Sequence, residues 1–298
     1  MSLRAIVLTA GLGTRLAPIT RYVAKPAVPM AGKALIERVL EWLHREGILD
    51  VVLNLHHLPE SITSVVGDGG AFEMRVRYSW EPVILGSAGG PKQALTLWPG
   101  LTGPYLIVNG DTLTDVSLTP LVEAHRASGA RVTMAVVPNT RPDHYNGIRV
   151  DANHRVTGFV AKGHTDQTWH FVGVQVVNAD VFDGLPAATP AETVAGVYRD
   201  LVRTEPGAVH AWTVEAPFLD VGTPADYIAA VLHTAGTDMF VVEGTSIVDS
   251  SAVLTRCVVW DGASVGAGAM LTDCVVLTGA QVPAGTVAAG NVFERAKK

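Results

Sequence analysis

A glycine-rich segment follows the first apolar run of the chain. Gly11 and Gly13 come directly after the run at 5–8, and two cations, Arg15 and Lys25, follow shortly after. Glycines let backbone N–H groups approach phosphate oxygens, and such groups form anion-binding concavities. Cations beside them would neutralise phosphate charge. The segment predicts phosphate binding, and a structural turn flanked by surface cations is the alternative.

Two common phosphate-binding motifs are absent from this segment. It lacks the Gly-Lys-Ser/Thr ending of a P-loop. The dinucleotide fingerprint needs a Gly or Ala where Leu16 stands, and the second apolar run ends at Asn54 without the acid that binds a ribose. We therefore expect neither a P-loop nor an NAD site.

Strand and helix patterns alternate over most of the chain and would position this segment. Short apolar runs lie at 5–8, 51–55, 105–108 and 132–137, and helical patterns include 35–43, 59–66, 92–98 and 118–128. Such alternation predicts a mostly parallel sheet with helices on both faces. Ligands of these sheets bind beyond the carboxyl ends of the strands, where the glycine-rich segment and Asp111 both fall.

The last sixty or so residues are a repeat. Residues 252–259 recur as 269–276, and 261–265 recur as 278–282, so the offset is 17 residues in both cases. Apolar positions fall about every six residues between small residues, which predicts a hexapeptide β-helix, with a β-meander as the alternative. We therefore expect two domains, at 1–235 and 236–298.

Bulk composition excludes several classes of protein. Hydrophobic residues make up 48 % of the 298 residues and the net charge is −6, so we expect neither a disordered chain nor a nucleic-acid-binding surface. Two cysteines cannot build a disulfide framework or a zinc cluster. No apolar run is long enough to span a membrane, and we expect a cytoplasmic protein.

Ordered motifs along nearly the whole chain resemble the sugar-1-phosphate nucleotidyltransferase family. The family hallmark is a Gly-x-Gly-Thr-Arg-Leu-x-Pro stretch followed by a Lys-Pro. The matching segments here are 11–18, 25–26, 85–90, 109–111 and 218–224. The resemblance implies an α/β fold, with a Rossmann-like mixed, mostly parallel sheet followed by a short left-handed β-helix.

The resemblance also implies a reaction. An oxygen of a sugar 1-phosphate attacks the α-phosphorus of a nucleoside triphosphate and expels pyrophosphate. The attacking phosphate is largely dianionic at pH 7, so no general base is needed, and positioning and charge neutralisation carry the catalysis. By resemblance Asp111 and Asp220 hold Mg²⁺, Arg15 grips the departing pyrophosphate, and Lys25 bridges both phosphates.

The same resemblance assigns binding residues. The predicted nucleotide-binding residues are Ala10, Gly11, Leu12, Gly13, Thr14, Glu81, Gly86 and Ser87. Glu81 would read a base edge, and a solvated charge is the alternative. Gly147 and Lys162 would bind the sugar phosphate. Ala161 stands where the family has a sugar-binding glutamate, and Glu192 could compensate or be a solvated acid at a helix start.

The substrate pair stays open. The segment around 81–89 favours mannose 1-phosphate with GTP, whereas UTP or dTTP with N-acetylmuramate 1-phosphate or glucose 1-phosphate is the alternative. A regulatory subunit without catalysis is a second hypothesis, and an acyltransferase is disfavoured because no histidine follows His233. The apolar surface of a short β-helix predicts a homo-oligomer.

Overall fold

The computed structural model describes residues 3–296, which divide into two compact units. The first, called here the sheet unit, contains residues 3–11, 39–57 and 66–218. The second, called the β-helix unit, contains residues 12–38, 58–65 and 219–296. The predicted boundary between residues 235 and 236 stays a prediction.

Eleven strands and six α-helices precede the tail within the described residues. The strands are β1 (Ala5–Leu8), β2 (Asp50–Leu55), β3 (Arg75–Trp80), β4 (Tyr105–Asn109), β5 (Thr112–Thr114), β6 (Val132–Pro138), β7 (Gly147–Val150), β8 (Val156–Val160), β9 (Trp169–Val177), β10 (Val209–Thr213) and β11 (Phe218–Asp220). The helices are α1 (Leu35–Arg45), α2 (Pro59–Val66), α3 (Gly86–Ala94), α4 (Leu118–Ser128), α5 (Tyr198–Thr204) and α6 (Pro224–Ala235).

A mixed sheet is the centre of the sheet unit. Its strand order is β10-β6-β9-β4-β1-β2-β3, and the β7–β8 hairpin joins it through β9. The pairs β4-β1, β1-β2, β2-β3 and β10-β6 are parallel, whereas β9 runs antiparallel to both of its neighbours. The predicted α/β class and mostly parallel mixed sheet are confirmed.

The sheet forms because its strands are short apolar runs that become buried on both faces. Every residue of β4 except Asn109 is buried, and the side chains of Ile6, Val52 and Ile107 lie in one core with Trp98. Runs that are apolar throughout suit a parallel sheet whose two faces are both covered. This core fixes the carboxyl ends of β1 to β4 along one edge.

The tail forms a three-sided parallel β-helix. Its strands are β12 (Phe240–Val242), β13 (Ile247–Val248), β14 (Val253–Thr255), β15 (Cys257–Val259), β16 (Ser264–Val265), β17 (Met270–Thr272), β18 (Val275–Val276), β19 (Gln281–Val282), β20 (Val287–Ala289) and β21 (Val292–Phe293). Val253 pairs with Met270 and Met270 with Val287, so each coil contains 17 residues, as the repeat predicts.

Alternation of inward and outward side chains stabilises this β-helix. Leu254 and Leu271 point into its core with Val265 and Val282, and both cysteines are buried there as free thiols. Stacking of successive coils buries these side chains, which no single coil could bury alone. No helix within residues 3–296 is both long and apolar enough to cross a membrane.

Candidate active site

Residues predicted to bind substrate line the carboxyl-terminal edge of the sheet. Leu8 of β1 pairs with Asn109 of β4, so Ala10 and Asp111 each stand two residues beyond a paired position. Because adjacent parallel strands end at the same edge, Ala10 and Asp111 lie on neighbouring strand ends. The structure thus places the half-buried Asp111 next to the start of the glycine-rich segment.

Gly110 explains how Asp111 reaches this position. Its N–H donates to the Leu8 carbonyl at 3.0 Å. A Cβ at residue 110 would lie 2.8 Å from the Leu8 oxygen and 2.8 Å from Cγ2 of Thr9. Only glycine lets β4 turn this close to β1, so packing accounts for the glycine between Asn109 and Asp111.

The glycine-rich segment folds into tight turns in the β-helix unit. Gly13 has φ +61°, and a Cβ on it would lie 2.7 Å from Cγ2 of Thr20 and 3.2 Å from Cβ of Lys25. Residues Thr14–Leu16 form one 3₁₀ turn, which leaves Arg15 exposed. Gly13 therefore lets the segment pack directly on the stem of Lys25.

Three of the four predicted catalytic residues converge in the β-helix unit. The Lys25 Nζ lies 3.9 Å from Oδ1 of Asp220, and only 9 % of the Lys25 side chain is exposed. A Cβ at Gly222 would lie 3.2 Å from Oδ2 of Asp220 and 3.3 Å from Nη1 of Arg15. The Asp226 carboxylate lies 3.1 Å from the same Cβ position, so Arg15 and two carboxylates surround Gly222 while Lys25 stands beside Asp220. Cations next to a carboxylate can bind a polyanion and its metal ion.

The start of α6 fixes the Asp220 side of this group. The N–H of Asp226 donates to the Thr223 hydroxyl at 3.2 Å, and that hydroxyl donates to the Asp226 carboxylate at 2.7 Å. Pro224 occupies the first turn of α6. Thr223 therefore caps α6 and holds the adjoining Gly222 and Asp220 in place.

The predicted nucleotide loop at 86–90 is the first part of α3. The sequence predicts a helix over 92–98, which is wrong at its start, because α3 begins at Gly86. A Cβ at Gly86 would lie 2.6 Å from the Ala191 carbonyl, and one at Gly89 would lie 2.5 Å from the Thr189 carbonyl. Close packing against residues 189–191 overrides the low helix propensity of glycine.

Ser87 is bonded to a residue whose role the sequence left open. Its hydroxyl donates to the Glu192 carboxylate and accepts the Thr193 N–H at 2.9 Å. Although Glu192 is exposed, its carboxylate accepts the Ser87 hydroxyl and so holds the first turn of α3. The only sequence signal was a polar pair, Glu192-Thr193, before an apolar helical stretch.

Glu81 lies in the interior, which does not fit the predicted base-reading role. The residue is 3 % exposed, one carboxylate oxygen accepts from Nδ2 of Asn54 and the other from the Leu85 N–H, both at 2.8 Å. Both oxygens are therefore engaged within the sheet unit. Sequence reasoning missed Asn54, whose signal is an amide inside an otherwise apolar strand.

Gly147 and Lys162 lie at one end of the β7–β8 hairpin. Gly147 pairs with Val160 of β8, and the Lys162 N–H donates to Oδ1 of Asn146 at 3.0 Å. A Cβ at Gly147 would lie 2.6 Å from Nε2 of His164. The structure brings both predicted sugar-phosphate residues together beside Asn146.

Aromatic rings surround this end of the hairpin. Tyr145 stacks on His170 with ring centroids 4.0 Å apart, and Phe218 lies 5.0 Å from His170. Burial lowers the pKa of His170 to about 4. The electrostatic effect of the neighbouring His144 also lowers this pKa, whereas a hydrogen bond with the Asn146 backbone raises it. His170 is therefore neutral at physiological pH.

Asp111 and Asp220 are a donor set that suits Mg²⁺. This ion is usually held by one or two carboxylates, with phosphate oxygens and water completing its shell. The described part of the chain contains no group of three or more His, Cys, Asp or Glu placed to hold a metal. The chemistry of two carboxylates fits this ion, and the assignment of both residues as its ligands stays a prediction.

The chain matches the family model described as nucleotidyl transferase over residues 4–236. The chain belongs to the nucleotidyl transferase family. The predicted resemblance is confirmed, and the match ends just before the β-helix begins. The motifs that carried the resemblance are those that build the glycine-rich turns, the start of α3 and the α6 start.

Several curated nucleotidyl transferases are similar to this chain. It is 33 % identical to N-acetylmuramate alpha-1-phosphate uridylyltransferase of Neisseria meningitidis, over 74 % of this chain and 94 % of that protein. It is 30 % identical to UTP--glucose-1-phosphate uridylyltransferase of Synechocystis over 77 % of this chain, but spans only 62 % of that protein. It is 27 % identical to mannose-1-phosphate guanylyltransferase of Mycobacterium tuberculosis, over 88 % of this chain and 76 % of that protein.

A solved structure shares the fold. HddC from Yersinia pseudotuberculosis, complexed with GMP-PN, superposes with a TM-score of 0.67 at 22 % identity, over 78 % of this chain and 99 % of that chain. At this identity the likeness concerns the fold alone.

Proposed function

We propose that this nucleotidyl transferase moves a nucleotidyl group from a nucleoside triphosphate to a sugar 1-phosphate, releasing pyrophosphate. The observation that carries the proposal is that Arg15 and Lys25 both lie close to the Asp220 carboxylate, Arg15 across Gly222 and Lys25 at 3.9 Å. Two anionic substrates must meet, so cations fixed beside a metal-binding carboxylate supply the main catalytic need.

Each cation has a distinct role in this proposal. The nearly buried Lys25 has little freedom, so it neutralises the phosphates as charge develops between them. The exposed Arg15 binds the departing pyrophosphate through its planar guanidinium. Mg²⁺, held by Asp111 and Asp220, would supply further charge neutralisation at the transferred phosphate.

The remaining predicted residues bind the two substrates. Backbone groups of residues 10–14 and the start of α3 at Gly86 and Ser87 hold the nucleotide. Lys162 and the backbone at Gly147 hold the sugar phosphate. The rings of Tyr145 and His170 provide an uncharged surface near these two residues, where the family glutamate is replaced by Ala161.

Mannose 1-phosphate and GTP are the proposed substrate pair. The motif over residues 81–89 and the similarity to the mycobacterial guanylyltransferase support it. The higher identity to the Neisseria uridylyltransferase favours the second candidate, UTP with N-acetylmuramate 1-phosphate. UTP or dTTP with glucose 1-phosphate is the third.

A substrate matrix tests both the reaction and the pair. GTP, UTP, dTTP, CTP and ATP are each combined with several sugar 1-phosphates and Mg²⁺, and pyrophosphate release is measured. Asp111→Asn and Asp220→Asn should nearly abolish release while circular dichroism shows an intact fold. Full activity in both variants would contradict the metal assignment, and binding of a nucleotide sugar without turnover would favour the regulatory hypothesis.

The physiological setting proposed here is a homo-oligomer in the cytoplasm. A row of outward apolar side chains, Val253, Met270 and Val287, follows one face of the β-helix. An uncharged face of this kind can meet a second copy of itself without opposing like charges.

A further inference from the structure

A buried hydrogen-bonded chain connects the ends of three neighbouring strands, β1, β2 and β3, with the start of α3. The Thr9 N–H donates to Oδ1 of Asn54 at 2.7 Å, and Nδ2 of Asn54 donates to Oε1 of Glu81 at 2.8 Å. The Leu85 N–H donates to Oε2 of Glu81 at 2.8 Å. Thr9, Asn54 and Glu81 are each at most 3 % exposed, so water does not compete for these bonds.

The two ends of this chain determine its polarity. The Thr9 and Leu85 N–H groups can only donate. Asn54 must therefore accept from Thr9, and Glu81 must accept from Leu85. Asn54 must turn its oxygen to Thr9 and its NH₂ to Glu81. Residue 81 must then accept on both oxygens, which a carboxylate does and a side-chain amide does not.

Packing confirms how tightly this pair is seated. A Cβ at Gly90 would lie 2.6 Å from Oε1 of Glu81 and 2.8 Å from Nδ2 of Asn54. Glycine at this position lets α3 lie directly on the pair. The ends of β1 and β2 and the body of α3 are therefore fixed against one another.

We propose that Asn54 and Glu81 are positioning residues that set the separation between two nucleotide-binding segments, Ala10–Gly11 and Gly86–Ser87. The proposal rests on the function proposed above. Thr9 immediately precedes the first segment and Leu85 the second. Glu81 acts through these backbone groups and does not contact the nucleotide.

Reversing the polarity of the pair tests this proposal. In Glu81→Gln an NH₂ faces either Asn54 or Leu85, and in Asn54→Asp two carboxylates face each other. The double variant combines Asn54→Asp with Glu81→Gln. Its carboxylate at position 54 accepts from the Thr9 N–H and from the amide NH₂ at position 81, and the amide oxygen at position 81 accepts from the Leu85 N–H. Every bond is then restored with the same net charge.

The expected result is a selective loss of nucleotide affinity. A mismatched buried donor should move the two segments apart, so each single variant should raise the KM and the calorimetric Kd for the nucleotide about fivefold or more. The KM for the sugar 1-phosphate should change little. The double variant should return within about threefold of the wild type, which ordinary loss of packing would not explain.

Two further variants keep the test decisive. Gly90→Ala pushes α3 away from Asn54 and Glu81 without changing their hydrogen-bond polarity, and it should also raise the nucleotide KM. This variant tests the positioning role if the single variants at residues 54 and 81 do not fold. Thr133→Val removes the buried bond to His125, 2.9 Å long, elsewhere in the sheet unit, and should lower the melting temperature only.

The two proposals fail in different ways. A wild-type protein that binds nucleotide but releases no pyrophosphate with any pair contradicts the proposed function, while the Kd values still test the positioning role. Unchanged nucleotide KM and Kd in Glu81→Gln and Gly90→Ala overturn the positioning role, as does a double variant no better than either single variant.

Discussion

Lys25 is a cation held in an unusually confined place. Its side chain is 9 % exposed, and its Nζ faces the Asp220 carboxylate at 3.9 Å. Desolvating an ammonium group is costly unless negative charge surrounds it. Two phosphate-bearing substrates would complete that environment, so Lys25 should matter more to the reaction than to folding.

Replacing Lys25 by methionine should lower kcat about 10²- to 10³-fold, which is typical of losing one group that stabilises developing charge. Steady-state pyrophosphate release measures the effect. Arg203→Gln, which removes an exposed cation paired with Asp200, is the matched control and should leave kcat unchanged. Similar losses in both variants would argue against a local role for Lys25.

His170 should make folding sensitive to acid. Its folded-state pKa is lowered from 6.5 to about 4, chiefly by burial. Between these values the unfolded chain binds a proton that the folded chain does not, so stability is complete above pH 6.5 and falls as the pH drops towards 4. The melting temperature of His170→Gln should therefore decline less than that of the wild type between pH 7 and pH 4.5. Parallel declines would contradict the shift.

Individual site residues were predictable to different degrees. The types and motif positions of Arg15 and Lys25 predict phosphate chemistry, and the structure places both near Asp220, although their roles stay predictions. The sequence does not predict that the Glu81 side chain points into the interior, because an acid that follows a strand can equally face solvent or a ligand. Only the packing of Asn54, Leu85 and Gly90 determines where its carboxylate points.

At the scale of elements, the segment 12–38 is held by parts of the chain far away in sequence. The Gly32 N–H donates to the Glu243 carboxylate at 2.9 Å, and the Tyr227 hydroxyl donates to the Pro29 carbonyl at 2.6 Å. The Trp260 indole N–H in turn donates to Tyr227 at 2.9 Å. The β-helix and α6 thus support the segment that carries Lys25.

Tyr227→Phe should weaken this support without removing the ring. It leaves the Trp260 N–H and the Pro29 carbonyl without their partner, which should lower the free energy of unfolding by about 1–3 kcal/mol. We also expect a several-fold lower kcat. Tyr78→Phe, which removes a hydroxyl bond to the Gly67 carbonyl, is the control for activity. Unchanged kcat in Tyr227→Phe would separate this contact from catalysis.

Some elements follow directly from the sequence and others do not. Helix α4 was predicted at 118–128 because its apolar residues recur at helical spacing. The start of α3 at Gly86 was not predicted, because a run of glycines indicates a loop unless the residues that pack against it are known. The backbone of residues 189–191 supplies the close contact that makes glycine necessary there.

At the scale of the whole molecule, each of the two compact units is built from stretches that are not contiguous in the sequence. The β-helix unit includes residues 12–38 and 58–65, which lie amid sheet-unit residues in the sequence. Repeat and strand patterns predict what each stretch becomes, but they do not predict which stretches pack together. That grouping depends on side chains such as Tyr227, which contacts partners distant in sequence on both sides.

Met270→Glu should test whether the exposed row on the β-helix joins two copies. Met270 is 53 % exposed between Val253 and Val287, so a carboxylate there should lower the solution mass without changing the melting temperature. Met239→Glu, at a residue 55 % exposed outside the row, is the control. Sedimentation at micromolar concentration measures the mass, and a monomeric wild type would contradict self-association.

Because each coil contains 17 residues, the tail can change its length without disturbing its core only by whole coils. Val253, Met270 and Val287 occupy equivalent positions, so an insertion of one full coil keeps every inward and outward side chain in register. An insertion of a single residue would instead turn core side chains such as Leu271 outward. Relatives and engineered versions of this tail should therefore differ by whole coils, and the chain can gain or lose surface without redesign of its interior.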